Sequence, residues 1–317
     1  GLYPIKSGTV KIFIKLPFIR NVERTRVAKL LNVGSRILIL KSQGDKNSGE
    51  TRAMGDSAKA DQKTAEPRHI RWRRRVAWWA MALLVAPLMG SAALVAVRGT
   101  DHWSTASRAA TGQAPDPAFT DEAVVQAYAA RTWGWRGVFA VHSWIVVKAP
   151  GADQYTRLEV IGWRQYYGRP VLKISHATPD GRWFSVKPQL LTDVRGPKAA
   201  ALIPQIYKAV QRYPYQQEYT TWPGPNSNTF TAWVGRHVPD LGLRLPVTAV
   251  GKDYLAEGKL VSVPPGGQGV QLSLGGLLGV LAGREEGIEV NILGAAFGID
   301  PHPLAIKLPG IGRIGWR

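Results

Sequence analysis

Twenty-two consecutive residues, Val76 to Val97, carry no charge; Arg71, Arg73, Arg74 and Arg75 stand before them and Arg98 after. As a helix rising about 1.5 Å per residue the run would extend roughly 33 Å, enough to cross a hydrocarbon core of about 30 Å. Trp72, Trp78 and Trp79 fall where an aromatic belt would lie. Basic residues stay on the cytoplasmic side, so the arginine cluster predicts one anchor with the N-terminus inside and the C-terminal part outside. The lipid bilayer is thus an expected partner through residues 76–97. Gly90-Ser91-Ala92 offers small residues for cleavage of a signal peptide, but the apolar run is longer than a usual signal core of about 7–15 residues. An uncleaved anchor is the expectation.

The net charge of +19 would suggest nucleic acid if it were spread over a folded surface. It is not spread: residues 1–98 hold 19 of the 41 Lys+Arg and only 6 of the 22 Asp+Glu. The charge lies where membrane topology puts it, and no nucleic-acid partner is expected. The first methionine is Met54. Residues 1–53 are read as a basic N-terminal segment, either upstream read-through or a small cytoplasmic piece with a strand near Val10–Leu16. Residues 54–75 are a cytoplasmic basic flank.

With no cysteine, disulfides, cysteine-based zinc sites, iron–sulfur clusters and thiol nucleophiles are excluded. The six histidines include no close pair with ligand spacing, so no metal is expected. Gly310-Ile311-Gly312-Arg313-Ile314-Gly315 spells a dinucleotide signature. That signature works only when a helix follows to receive the pyrophosphate, and no cofactor is expected.

Beyond the anchor, residues 98–119 are rich in Ala, Ser, Thr and Pro and read as a tether. Asp121 to Arg131 reads as a helix capped by Thr120. Val138 to Lys148 and Tyr155 to Trp163 read as a hairpin across the Ala149–Asp153 break, and Val171 to Ser175 as a third strand. Gly196-Pro197 opens a helix whose apolar positions are Ile203, Ile206, Tyr207 and Val210. A second helix runs from Asn228 to His237. Val270 to Ala282 and Ile288 to Ile299 read as two apolar arms around the charged turn 283–287. This order predicts an α+β fold, with a core over 120–263 and a β-rich extension over 264–317 packed on it.

Three segments carry candidate chemistry. His142 lies in the apolar strand Ala140–Lys148, and Glu159 in the next strand. Antiparallel neighbours can hold the two side by side. Trp222-Pro223-Gly224-Pro225-Asn226-Ser227-Asn228 delivers Ser227 to a helix N-terminus, where free amides can stabilise negative charge. Nucleophile, base and orienter follow triad logic. The same residues also have plain structural uses: a core histidine, an ion-paired carboxylate, and N-caps. Trp144, Trp163, Trp222, Asn226 and Asn228 are candidate cleft residues. Strand alternation puts Trp144 and Trp163 on the His142 side, beside the helix that starts at Asn228.

The histidine strand, the Tyr-x-x-x-Glu-Val strand and the Asn-x-Asn-Thr-Phe helix start resemble the circularly permuted papain-like superfamily. The resemblance implies a permuted papain-like domain with an antiparallel sheet, with His142 as base, Glu159 as orienter and Ser227 at the family's cysteine position. From about residue 120 onward, the histidine-tryptophan strand, the WPGPNSNTF loop and the GREEG and LPGIGRIG segments also resemble a bacterial membrane-associated family known as a domain of unknown function. Together these imply a single-pass inner-membrane protein with a periplasmic domain. Two functions are expected. One is a Ser-dependent hydrolase or acyltransferase on an envelope amide or ester, in peptide, peptidoglycan or lipid. The other is a non-catalytic binding or scaffold module that keeps a degenerate cleft.

Overall fold

The computed structural model describes residues 68–99 and 101–315. The readings of residues 1–67 lie outside the described residues. Helix α1 (Arg68–Arg98) contains the uncharged run, and its stretch Trp72–Val97 is long and apolar enough to cross a membrane. Trp72, Trp78, Trp79, Met81 and Leu83 are exposed on it.

Two antiparallel sheets follow. The first holds β1 (Val124–Arg131), β2 (Val141–Lys148), β3 (Thr156–Val160), β4 (Leu172–Ser175) and β5 (Gln189–Arg195) in the order β4-β3-β2-β1-β5. Helices α2 (Gly196–Gln211) and α3 (Ser227–His237) cover one face. Val125, Ala127, Ala129, Ile145, Val147 and Leu158 point toward them and form the main core with Leu202, Ile206, Phe230 and Val234. Val124, Tyr128, Trp144, Val146 and Trp183 make a smaller core on the other face.

The expected helix at 121–131 is instead the strand β1. Its alanines and glutamine favour a helix locally, but the segment is flanked by β2 and β5 and covered on both faces, so seven of its eight residues are buried. A two-sided central strand shows no period-two polarity from which to read it. β2 begins at Val141 rather than Val138, because residues 134–138 form a 3-10 turn. β3 ends at Val160, and Trp163 sits in the 3-10 turn Gly162–Tyr167. The two expected helices form nearly as read, and α2 runs on through Pro204.

The second sheet is a meander of β6 (Val261–Ser262), β7 (Gly269–Leu274), β8 (Leu278–Gly283), β9 (Gly287–Ile292), β10 (Ala295–Pro301), β11 (Leu304–Leu308) and β12 (Gly312–Gly315). Each of the two expected long arms is broken into a hairpin. Gly275 and Gly276 turn the first with φ of 58° and 76°. Leu293 and Gly294 turn the second with φ of 53° and 86°, directly between the paired Ile292 and Ala295. Two consecutive positive φ values match the strand twist of a tight hairpin. Leucine is an unfavourable residue for such a turn, which hid it in the sequence.

Residues 101–116, expected as a loose tether, are bonded to the domain. The Asp180 carboxylate accepts the Thr111 and Gln113 amides at 3.0 and 2.6 Å and the Thr111 hydroxyl at 3.0 Å. Ser185 exchanges bonds with Ser107, and Arg182 donates to the Ala109 carbonyl.

Candidate functional site

The pairing Ile145↔Leu158 sets the register of β2 against β3. Extending it one residue puts Glu159 across from Trp144 and diagonal to His142, within reach of a long side chain. Nε2 of His142 lies 3.3 Å from Oε2 of Glu159. Arg157, two residues back on the same face of β3, donates to the same oxygen at 2.8 Å. Its other nitrogen donates to the Thr178 carbonyl, and its guanidinium lies 4.1 Å over the Trp144 ring. Lys173 from β4 approaches Oε1 at 3.8 Å.

All three central side chains are buried. Burial pushes Glu159 upward, but the hydrogen bond with His142 and the Arg157 charge outweigh it and hold the carboxyl at about 2. Burial lowers His142 more than Glu159 raises it. The cluster at neutral pH is therefore a carboxylate shared by a guanidinium and a neutral imidazole whose Nε2 donates the proton.

A cover of aromatic rings seals this cluster. Trp183 stacks on His142 at 3.8 Å and 16°. Trp163 stacks on Trp183 at 5.7 Å, Phe184 meets it edge-on, and Arg108 caps Phe184 at 4.1 Å. The cover is the tight turn Trp183–Val186, in which Phe184 and Ser185 hold φ of 48° and 69°. It is held down by the bonded segment 101–116. Trp144 and Trp163 thus lie on the His142 side as expected, Trp144 fully buried and Trp163 half exposed.

Ser227 is not brought to this cluster. Successive residues of a strand point to opposite faces. Ser143, not His142, faces α3: its hydroxyl donates to Oδ1 of Asn228 at 2.8 Å and lies 2.9 Å from the Thr231 hydroxyl. The first sheet therefore stands between the His142 ring and the helix that carries Ser227, and no hydrogen bond joins the two residues. The expected dyad and the expected helix beside Trp144 and Trp163 are both corrected by this parity.

The loop residues do structural work. Asn226 caps α3, accepting the Asn228 and Thr229 amides at 3.0 and 3.2 Å, while the Thr229 hydroxyl accepts the Asn226 amide. Asn228 donates to the Val141 and Val250 carbonyls, tying the helix start to β2. Both asparagines are buried, and neither lines a cleft with Trp144 or Trp163. Trp222 turns the other way and donates to the Leu293 carbonyl of the second sheet. Sequence reasoning placed neither Trp183 nor Asp180 at the site, nor Arg157. Its alternation with Glu159 was the available signal.

The fold and the cluster define a class: an α+β domain on an apolar helix, with a sealed histidine–glutamate–arginine group in its first sheet. Residues 122–254 match the profile of the family described as Protein of unknown function (DUF3750). The match takes in the whole first sheet, α2, α3, His142, Glu159 and Ser227. It excludes α1 and the second sheet. No curated protein and no solved structure matches the chain.

Proposed function

We propose that the chain is a single-pass membrane protein whose domain is a non-catalytic binding or scaffold module of the cell envelope. What supports this reading is the parity of β2: the serine facing the α3 N-terminus is Ser143, whose hydroxyl is engaged by Asn228 and Thr231, while His142 is closed beneath Trp183. A serine is a weak nucleophile unless a base lies within hydrogen-bond reach. The arginine cluster before α1 supports a cytoplasmic N-terminus and a domain on the periplasmic side of a bacterial inner membrane.

The competing reading is a Ser-dependent hydrolase or acyltransferase built on His142, Glu159 and Ser227. Full-length protein in membranes treated with a fluorophosphonate probe separates the two. The scaffold reading expects equal background signal from wild type and Ser227→Ala. Labelling that disappears in both Ser227→Ala and His142→Ala would establish the hydrolase. A periplasm-active reporter fused after Arg317 should be active, and neutralising Arg71, Arg73, Arg74 and Arg75 should scramble the orientation.

A further inference from the structure

The second sheet is built inside out. Its inward face is mostly polar: Gln271, Glu289 and Lys307 are buried there beside Leu281, Ala296 and Ala305, against the loop that carries Lys252 and Asp253. Lys252 bridges Asp253 and Glu289 at 2.8 and 2.7 Å, Lys307 bridges Glu289 at 2.7 Å, and Gln271 joins Asp253 to Arg236. These buried partnerships lock the register, since a slip of one residue would expose them all.

The outward face is the reverse. Val270, Ala282, Ile288, Ile299, Ile306 and Ile314 stand in one paired row across six strands. All six are exposed. Every other outward position from β7 to β12 is also apolar. Strands β7 to β12, at roughly 4.8 Å spacing and about 3.4 Å per residue along each, give a face on the order of 550 Å², at the upper end of the roughly 300–600 Å² of the largest patch on a typical monomer.

The position of this face in the molecule says what covers it. Ser91, inside the membrane-crossing stretch of α1, donates to the Gly310 carbonyl at 2.9 Å and the Val138 carbonyl at 2.6 Å. Gly310 lies in the turn between β11 and β12. A side chain there would press on Leu88, so glycine permits the close approach. The β11–β12 turn therefore meets α1 about 9 Å before the end of its apolar stretch, at 1.5 Å per residue. Exposed Trp135, Trp133 and Phe139 flank the same contact at the 3-10 turn, the ring types that sit at a membrane interface. A protein partner brings a polar rim, and the strand positions of this face carry none. Apolar-out and polar-in alternation is the pattern of strands that face lipid.

We infer that the outward face of the second sheet is a lipid-contacting surface, seated among the acyl chains of the bilayer that α1 crosses. The inference rests on the anchor reading and adds a second, monotopic attachment to it.

Because the chain has no cysteine, single-cysteine variants carry one probe each. Full-length Val280→Cys, Ile306→Cys, Leu83→Cys and Tyr166→Cys would be labelled with a fluorophore and reconstituted in phosphatidylethanolamine–phosphatidylglycerol vesicles. Quenching by aqueous iodide and by acyl-chain nitroxide lipids is then read. Probes at Val280 and Ile306 should behave like the one at Leu83, quenched by nitroxide lipid and several-fold less by iodide than the probe at Tyr166. Iodide access at Val280 and Ile306 with protection at Leu83 overturns this inference and leaves the anchor standing. Iodide access at Leu83 as well overturns both. Protection at Val280 without nitroxide quenching, together with ready disulfide crosslinking of two Val280→Cys copies, would assign the face to a second copy and overturn the lipid assignment.

Discussion

The indole of Trp183 covers the imidazole of His142, ring centroids 3.8 Å apart and planes 16° from parallel. This contact keeps water from the histidine that, among the described residues, bonds Glu159, and it sets the terms for the first prediction. Trp183→Ala should cost about 3–5 kcal/mol, the usual range for removing a buried tryptophan. It should also open His142 to diethyl pyrocarbonate, which wild type resists. Modification of His142 at the same rate in both proteins would refute the cover.

Acid should destabilise the fold through the same cluster. Glu159 has its folded pKa depressed to about 2, so its contribution is complete above the ordinary carboxylate range and lost as pH falls from about 4.5 toward 2. Burial also lowers His142. The unfolded chain therefore binds its proton first, and stability begins to fall as pH drops below about 6.5. Glu159→Gln should cost about 3–5 kcal/mol at neutral pH by leaving Arg157 buried without its counter-charge. It should also flatten the acid limb of a melting-temperature profile. An unchanged profile would count against this account.

Capping separates neighbours in the loop. Asn226→Ala should lose at least about 0.5–2 kcal/mol, because Asn226 accepts two helix amides and donates to two loop carbonyls. Ser227→Ala should cost less than Asn226→Ala, because the Ser227 hydroxyl takes no part in the cap. Chemical denaturation of the full chain in detergent measures both, and a reversed order would reassign the cap.

Asp180 ties down the segment that follows α1. Asp180→Ala removes the acceptor for the Thr111 and Gln113 amides. Limited proteolysis should then cut within residues 101–116, a stretch that wild type protects. A digestion pattern identical to wild type would show that the remaining bonds of the strap suffice.

Some of this was legible in the residues. His142 and Glu159 could be paired from two β-rich segments around one break, since a hairpin needs only a turn and a shared face. Ser227 could be placed at a helix start from its asparagine neighbours. Which face of β2 the helix would cover was not legible: His142 and Ser143 differ by one residue, and nothing local says which side α2 and α3 will take. β1 failed for a related reason, since a strand covered on both sides loses its alternation. The second sheet failed at Leu293, where a turn needing positive φ uses a bulky residue. Trp183 comes from a loop far along the chain, and its stacking on His142 is a property of the assembled fold.

The bonding of residues 101–116 bears on where the domain can meet anything else. A free chain of 22 residues would let the domain wander roughly 26 Å from its anchor, by the 5–6 Å × √n rule for flexible linkers. With that length bonded to Asp180 and Ser185, and α1 pinned through Ser91, the leash is wound in. If α1 crosses a bilayer as proposed, the domain would ride close to the bilayer plane, its encounters would be two-dimensional, and whatever it recognises would have to come to the membrane surface to be met.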